Sequence, residues 1–173
     1  MVYKIREYRD SDPVIEITDL LHRAYKPLAD AGWKYVASYQ DDARTLRRIK
    51  TGKGFVLTEA DKIVGTIVYY TTMHNRTDCP PIYNETGVGH FGQFAVEPFL
   101  QKQGLGSMLM NHVEQYALAE GDHTICFDTS EHAQHLIDYY KNRGYEFAAY
   151  HQWADTNYKS MVMKKALQVF SDK

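Results

Sequence analysis

The sequence predicts one α+β domain with a strand-rich middle, spanning residues 1–173. Three observations carry that expectation. Short segments that alternate apolar and polar residues interchange with longer ones whose apolar residues recur every three or four positions. A hairpin-like pair, "GFVLTEADKIVGTIVYYTT", occupies residues 54–72. From Gln93 to Ala117 the chain reads "QFAVEPFLQKQGLGSMLMNHVEQYA", a strand, a glycine turn and an amphipathic helix in succession.

Taken in order, "VYKIREYR" at 2–9 alternates and reads as a half-buried strand. "DSDP" then starts a helix, with Asp12 as its expected cap and Pro13 at its first position. Val14, Ile17, Leu20, Leu21 and Ala24 carry the helix to Pro27, and a second runs from Asp41 to Lys50 before Gly52. The hairpin strands fall near 54–59 and 62–72 around Ala60-Asp61, followed by a loop at 73–87 and a long strand near 88–97. A helix is expected from Leu105 to Glu120, a buried strand at 124–128, and a helix capped by Ser130 and ended by Gly144. Two strands, "YEFAAYH" and "YKSMVMKK", close the chain.

Composition narrows the function classes. A net charge of −2 lacks the basic excess of a general nucleic-acid binder, although "TLRRIKTGKG" is locally basic. The 2 cysteines, Cys79 and Cys126, make neither a disulfide framework nor a zinc pattern, and suit a reducing compartment. No apolar run approaches a membrane span of ~20 residues, and the start lacks a secretion-type apolar core. The expectation is cytoplasmic, with no membrane or nucleic-acid partner. The 14 tyrosines and 8 histidines exceed what a core needs and point to a polar-aromatic cavity.

The glycine turn has two readings. It is an ordinary turn, or it bares the backbone for an anion. The first turn of a helix offers unpaired N–H groups and the positive end of the macrodipole. Gly104 and Gly106 lack a Cβ, Ser107 adds a hydroxyl and Lys102 a cation. The spacing is that of neither a P-loop nor a dinucleotide fingerprint, since no third glycine stands at Leu109.

The run Gln101-Lys102-Gln103-Gly104-Leu105-Gly106 after "QFAVEP" resembles the coenzyme-A motif of the GNAT superfamily of N-acetyltransferases. The later "CFDTSEHAQHLIDYYKNRGYEF" is similar to that family's strand and its helix ending in Tyr-x-x-x-Gly-Tyr, here Tyr140 to Tyr145. The resemblance implies a GNAT-type α+β fold, a mixed, mostly antiparallel sheet of about seven strands flanked by about four helices. It implies acetyl-CoA as co-substrate, with no metal, and a small-molecule or peptide amine as acceptor. A homodimer is also compatible with it.

The same resemblance places the pantetheine arm on Phe94, Ala95 and Val96, and the pyrophosphate on Gln101, Lys102, Gln103, Gly104, Leu105, Gly106 and Ser107. It makes Tyr140 the acid for the leaving thiolate, with Tyr139 competing and a packed core tyrosine as the bland alternative. Direct attack by a neutral amine needs a base, because an alkylammonium titrates near ~10.4. His90, upstream on the long strand, suits that role or is simply a histidine at a solvent edge. Strand parity puts His90, Gly92, Phe94 and Val96 on one face unless a bulge intervenes. Glu97 and Glu85 are weaker candidates. Where the family often has a cofactor-contacting Asn the chain has Ala133, so Thr129, Ser130 or His135 takes that contact or it is absent. His132 and His135, at i and i+3, share an expected helix face without further ligands for a metal. The alternative to an enzyme is a non-catalytic acyl-CoA-binding or regulatory module on the same fold.

Overall fold

The computed structural model describes residues 1–168, so the last five residues of the expected 1–173 domain lie outside the described residues. Seven strands and four α-helices follow in the expected order: β1 (Tyr3–Glu7), α1 (Val14–Asp30), α2 (Asp42–Thr51), β2 (Lys53–Glu59), β3 (Lys62–Tyr70), β4 (Val88–Val96), α3 (Leu105–Ala119), β5 (Thr124–Ser130), α4 (Gln134–Asn142), β6 (Glu146–His151) and β7 (Ser160–Ala166). The strands form one sheet in the order β1-β2-β3-β4-β5-β7-β6. β1–β2, β2–β3, β5–β7 and β6–β7 pair antiparallel, whereas β4 and β5 pair in parallel from Val88 opposite Thr124 to His90 opposite Cys126. The expected mixed, mostly antiparallel α+β architecture is what the chain adopts. No helix among the described residues is long and apolar enough to cross a membrane.

Packing groups the chain into two compact units, Met1–Tyr70 with Phe91–Val113, and Thr71–His90 with the chain from Glu114 onward. In the first unit α1 and α2 lay Ile17, Leu20, Leu21 and Ile49 against Val56, Val68 and Ala95 of the strands. Burying such aliphatic side chains stabilises by about 1.5–3 kcal/mol each. Asp41 caps α2 by accepting from the Arg44 N–H at 2.8 Å.

Asp12 does not cap α1. Its carboxylate instead accepts both arms of the Arg6 guanidinium, at 2.7 and 2.8 Å, and the Arg9 N–H at 2.7 Å. A two-pronged charge-assisted pair outcompetes a single capping bond, and Pro13 is left as the N-cap without a side-chain cap bond. Helix α1 also runs past Pro27 to Asp30. Proline removes one ladder bond there, but the next turn holds, with the Ala31 N–H reaching the Pro27 carbonyl at 3.1 Å.

In the second unit Cys79, Tyr83, Val88, Cys126 and Val162 form a core under Trp153. Glu114 anchors its edge: it accepts from the Tyr145 hydroxyl at 2.9 Å and the Lys165 ammonium at 2.9 Å, with Arg143 at 3.6 Å. Helix α4 starts at Gln134, later than Ser130. The Ser130 hydroxyl accepts from the His132 N–H at 3.2 Å, within the turn ahead of the helix. His132 therefore lies outside α4 and the expected His132–His135 helix face does not form.

Candidate active site

The first unit builds the site from the end of β4 onward. Gln93 adopts φ +47°, a left-handed conformation inside an extended strand. Such a residue breaks the two-residue alternation of side chains. A Cβ on Gly92 would point at Arg48 and Tyr70, the Gln93 side chain meets Gln40, and Ala95 packs with α1 and α2. Gly92, Gln93 and Ala95 thus share the helix-covered side, and the simple parity that grouped Gly92 with Phe94 and Val96 is overturned. Phe94 is half-buried, Ala95 and Val96 buried. The Tyr25 hydroxyl donates to the Phe94 carbonyl at 3.0 Å.

After Val96 the backbone turns at Pro98 through a short 3-10 segment and reaches the glycine turn. Gln101 folds back, its side-chain amide donating to the Val96 carbonyl at 3.2 Å, so the strand end and the turn form one piece. Lys102 has φ +63° and Gly104 φ +83°. The Gly104 carbonyl accepts the first helical bond, from the Met108 N–H at 3.0 Å. Helix α3 therefore opens on Gly104, a residue with no side chain of its own to cap the first turn. Residues 101–104 are exposed, and a Cβ built on Gly104 would meet nothing within 4 Å. That open, left-handed glycine leaves the backbone of the turn accessible from outside. Leu105 differs from its neighbours, since its side chain is buried and only its backbone belongs to the turn.

Glu97 is removed from the list of bases. It is 2% exposed and its carboxylate takes two bonds from Arg23, at 2.5 and 3.2 Å. Glu85 is exposed beside the 3-10 turn at Pro81–Asn84.

In the second unit His90 is buried, not at a solvent edge, and its ring stacks on Tyr83 at 4.1 Å with 12° between planes. The Tyr83 hydroxyl donates to Asp128 at 3.0 Å and the Trp153 indole N–H to the other Asp128 oxygen at 2.9 Å. Burial and the Asp128 carboxylate push the Tyr83 hydroxyl well above its usual range. Tyr140 is buried with its ring 3.9 Å from Phe127, and Tyr139 is more exposed. Thr129 is buried in β5, and His135 is exposed on α4. Ala133, buried, stands at the N-cap of α4 without a side-chain cap bond. Cys126 is wholly buried and its thiol is pushed up to about 12, chiefly by burial, while burial also raises Cys79.

Three features were not legible beforehand: the bulge at Gln93, the Tyr25–Phe94 bond, and a polar cluster joining Arg48, Gln40 and Gln93. A glutamine in an apolar strand was the available signal for the bulge.

Comparison with known proteins adds an independent line. Residues 14–145 match the family model described as the acetyltransferase (GNAT) family. The chain is 28% identical, over 83% of its own length and 82% of the relative's, to S-(2-succino)cysteine N-acetyltransferase of Bacillus subtilis (strain 168). Its fold is similar to that of the ribosomal-protein-S18-alanine N-acetyltransferase of Escherichia coli, with TM-score 0.72 and 15% identity over 99% and 98% of the two chains. It is also similar to a GNAT family acetyltransferase from Elizabethkingia anophelis solved with acetyl-CoA bound, with TM-score 0.65 and 16% identity over 95% and 98%.

Proposed function

The chain belongs to the GNAT family and is an acetyl-CoA-dependent N-acetyltransferase, and from that premise we propose that it acetylates a primary amine by direct attack within a ternary complex. The observation that carries this reading is the exposed turn Gln101–Gly104, with its open left-handed glycine at the start of α3.

Acetyl-CoA supplies a thioester, at whose carbonyl carbon a C–N bond to the amine forms as the C–S bond breaks. In this reading the amides of the α3 first turn, the Ser107 hydroxyl and Lys102 hold the pyrophosphate. The backbone of Phe94, Ala95 and Val96 aligns the pantetheine arm, and an amide near Val96 donates to the oxyanion. His90 takes the proton that the ammonium must lose, with its ring fixed by Tyr83, itself fixed by Asp128. Tyr140 returns a proton to the leaving sulfur. Thr129 and His135 line the cofactor's far edge. Two observations support direct transfer over an acyl-cysteine route: the Cys126 thiol is buried and pushed up to about 12, and Cys79 is buried too.

The relative from Bacillus subtilis is named for an amine carried by an amino-acid thioether, which makes small amino acids the first acceptors to test. The experiment is thiol release from acetyl-CoA across an amine panel, for the wild type and Tyr140→Phe. A fall in kcat of about 100-fold with acetyl-CoA affinity kept supports the reading. Binding of acetyl-CoA with no amine ever acetylated overturns it in favour of a binding module.

A further inference from the structure

The strongest unexplained feature is a chain of side-chain amides running from α2 to the bulge of β4. An Arg48 Nη1–H donates to Gln40 Oε1 at 2.7 Å. Because a guanidinium only donates, Gln40 must present its oxygen there and its NH2 on the other side. That NH2 donates to Thr45 Oγ1 at 2.8 Å and to Gln93 Oε1 at 2.6 Å. Gln93 must in turn present its oxygen to Gln40, which fixes the orientation of its own NH2.

The Gln93 NH2 is buried and has no hydrogen-bond partner among the described residues, although Gln93 is only 2% exposed. A buried, unanswered donor is costly, and an acceptor from outside the chain would satisfy it. The guanidinium at the other end is half-buried, and its side-chain neighbours are neutral: Gln40 and the Tyr70 hydroxyl. Among the described residues no carboxylate pairs with it. Gly92 lets the guanidinium lie close over the strand, since a Cβ there would stand 3.3 Å from Arg48 Nη2 and 3.6 Å from the Tyr70 ring.

We propose that Arg48 and Gln93, aligned by Gln40 and given room by Gly92, form a subsite for a carboxylate of the acceptor. The acceptor class is then an α-amino acid or other amine carrying a carboxylate. A guanidinium and an amide NH2 offer several donors to one flat anion with two acceptor oxygens, the match that favours arginine over lysine at such sites. The subsite lies at Gln93, the residue immediately before the Phe94–Val96 segment, which is where an amine would approach the thioester. The inference rests on the transferase reading above for that last step only.

The test pairs free α-amino acids with their own carboxamides as acceptors, and measures succinate binding separately by calorimetry, for the wild type, Arg48→Gln and Arg48→Lys. The carboxamide has the more acidic ammonium, so a preference for the acid does not come from amine reactivity. The wild type is expected to favour the acid by about tenfold to 100-fold in kcat/KM. Arg48→Gln should bring that ratio close to one through KM and weaken succinate by about tenfold or more, with Arg48→Lys intermediate. Amines turned over with no acid preference overturn the subsite and leave the transferase reading standing. Succinate bound by the wild type and lost in Arg48→Gln, with no amine ever acetylated, keeps the anion subsite and overturns the transferase reading. The wild-type ratio needs no variant, so a misfolded substitution does not remove the test.

Discussion

The Tyr25 hydroxyl donates to the Phe94 carbonyl at 3.0 Å, tying helix α1 to the first residue beyond the β4 bulge. Phe94 opens the segment proposed to align the pantetheine arm. Its carbonyl already has a partner within the chain, so the strand conformation after Gln93 is held before any ligand arrives. Tyr25→Phe removes that hydroxyl and little else. It should cost about 1 kcal/mol of stability and raise the KM for acetyl-CoA several-fold, as read by thermal unfolding and steady-state kinetics.

Gly104 allows cofactor binding to be separated from folding. A Cβ there meets nothing in the chain, so Gly104→Ala carries only the strain of φ +83°, roughly 1–2 kcal/mol. The methyl projects into the open turn, and acetyl-CoA affinity by calorimetry should fall about tenfold or more. Affinity at the wild-type level would remove this turn from the cofactor site.

The cysteines should be dispensable. With Cys79 and Cys126 both buried and both thiols raised by burial, thiolate is scarce at neutral pH. The folded enzyme should resist alkylation at pH 8, and Cys79→Ala with Cys126→Ala should keep kcat within about threefold, with about 1–2 kcal/mol lost in stability from the emptied sulfur positions. Loss of turnover with the fold intact would instead require an acyl-cysteine.

Acid stability should follow Asp12. The Arg6 guanidinium and the Arg9 N–H hold its carboxyl below the ordinary value of 3.8. A depressed folded value means the contribution is present above the unfolded-state value and lost as pH falls through the folded one. Asp12→Asn should lower the thermal midpoint at pH 7 by ~2–4 °C, with the gap to the wild type closing as pH falls below the ordinary carboxyl value and through the lowered folded one.

Element order and the exposed glycine turn ahead of α3 were readable in the chain because each is a local property. The apolar spacing of Ile17, Leu20 and Leu21 specifies a helix face whatever it packs on, and Gly104 ahead of an amphipathic run marks a helix start. Where local rules competed with distant partners the reading failed. Asp12 has good capping chemistry, but Arg6 of the neighbouring strand claims it with two bonds. Glu97 reads as a solvated carboxylate until Arg23, 74 positions away in the chain, is found across from it. His90 reads equally as surface or site, and the stack with Tyr83 buries it.

By itself the sequence determined the family, the order of strands and helices and the glycine turn at the start of α3, since periodicity, glycine and helix ends act over a few residues. Tertiary structure alone decided that Gln93 breaks its strand, and that Gln40 links it to Arg48. That cluster joins residues 40, 48 and 93, and the donors left over at its two ends follow only once each amide is oriented by its partner. Hydrogen-bond complementarity between distant residues carries no periodic signal along the chain, so only the folded arrangement reveals it.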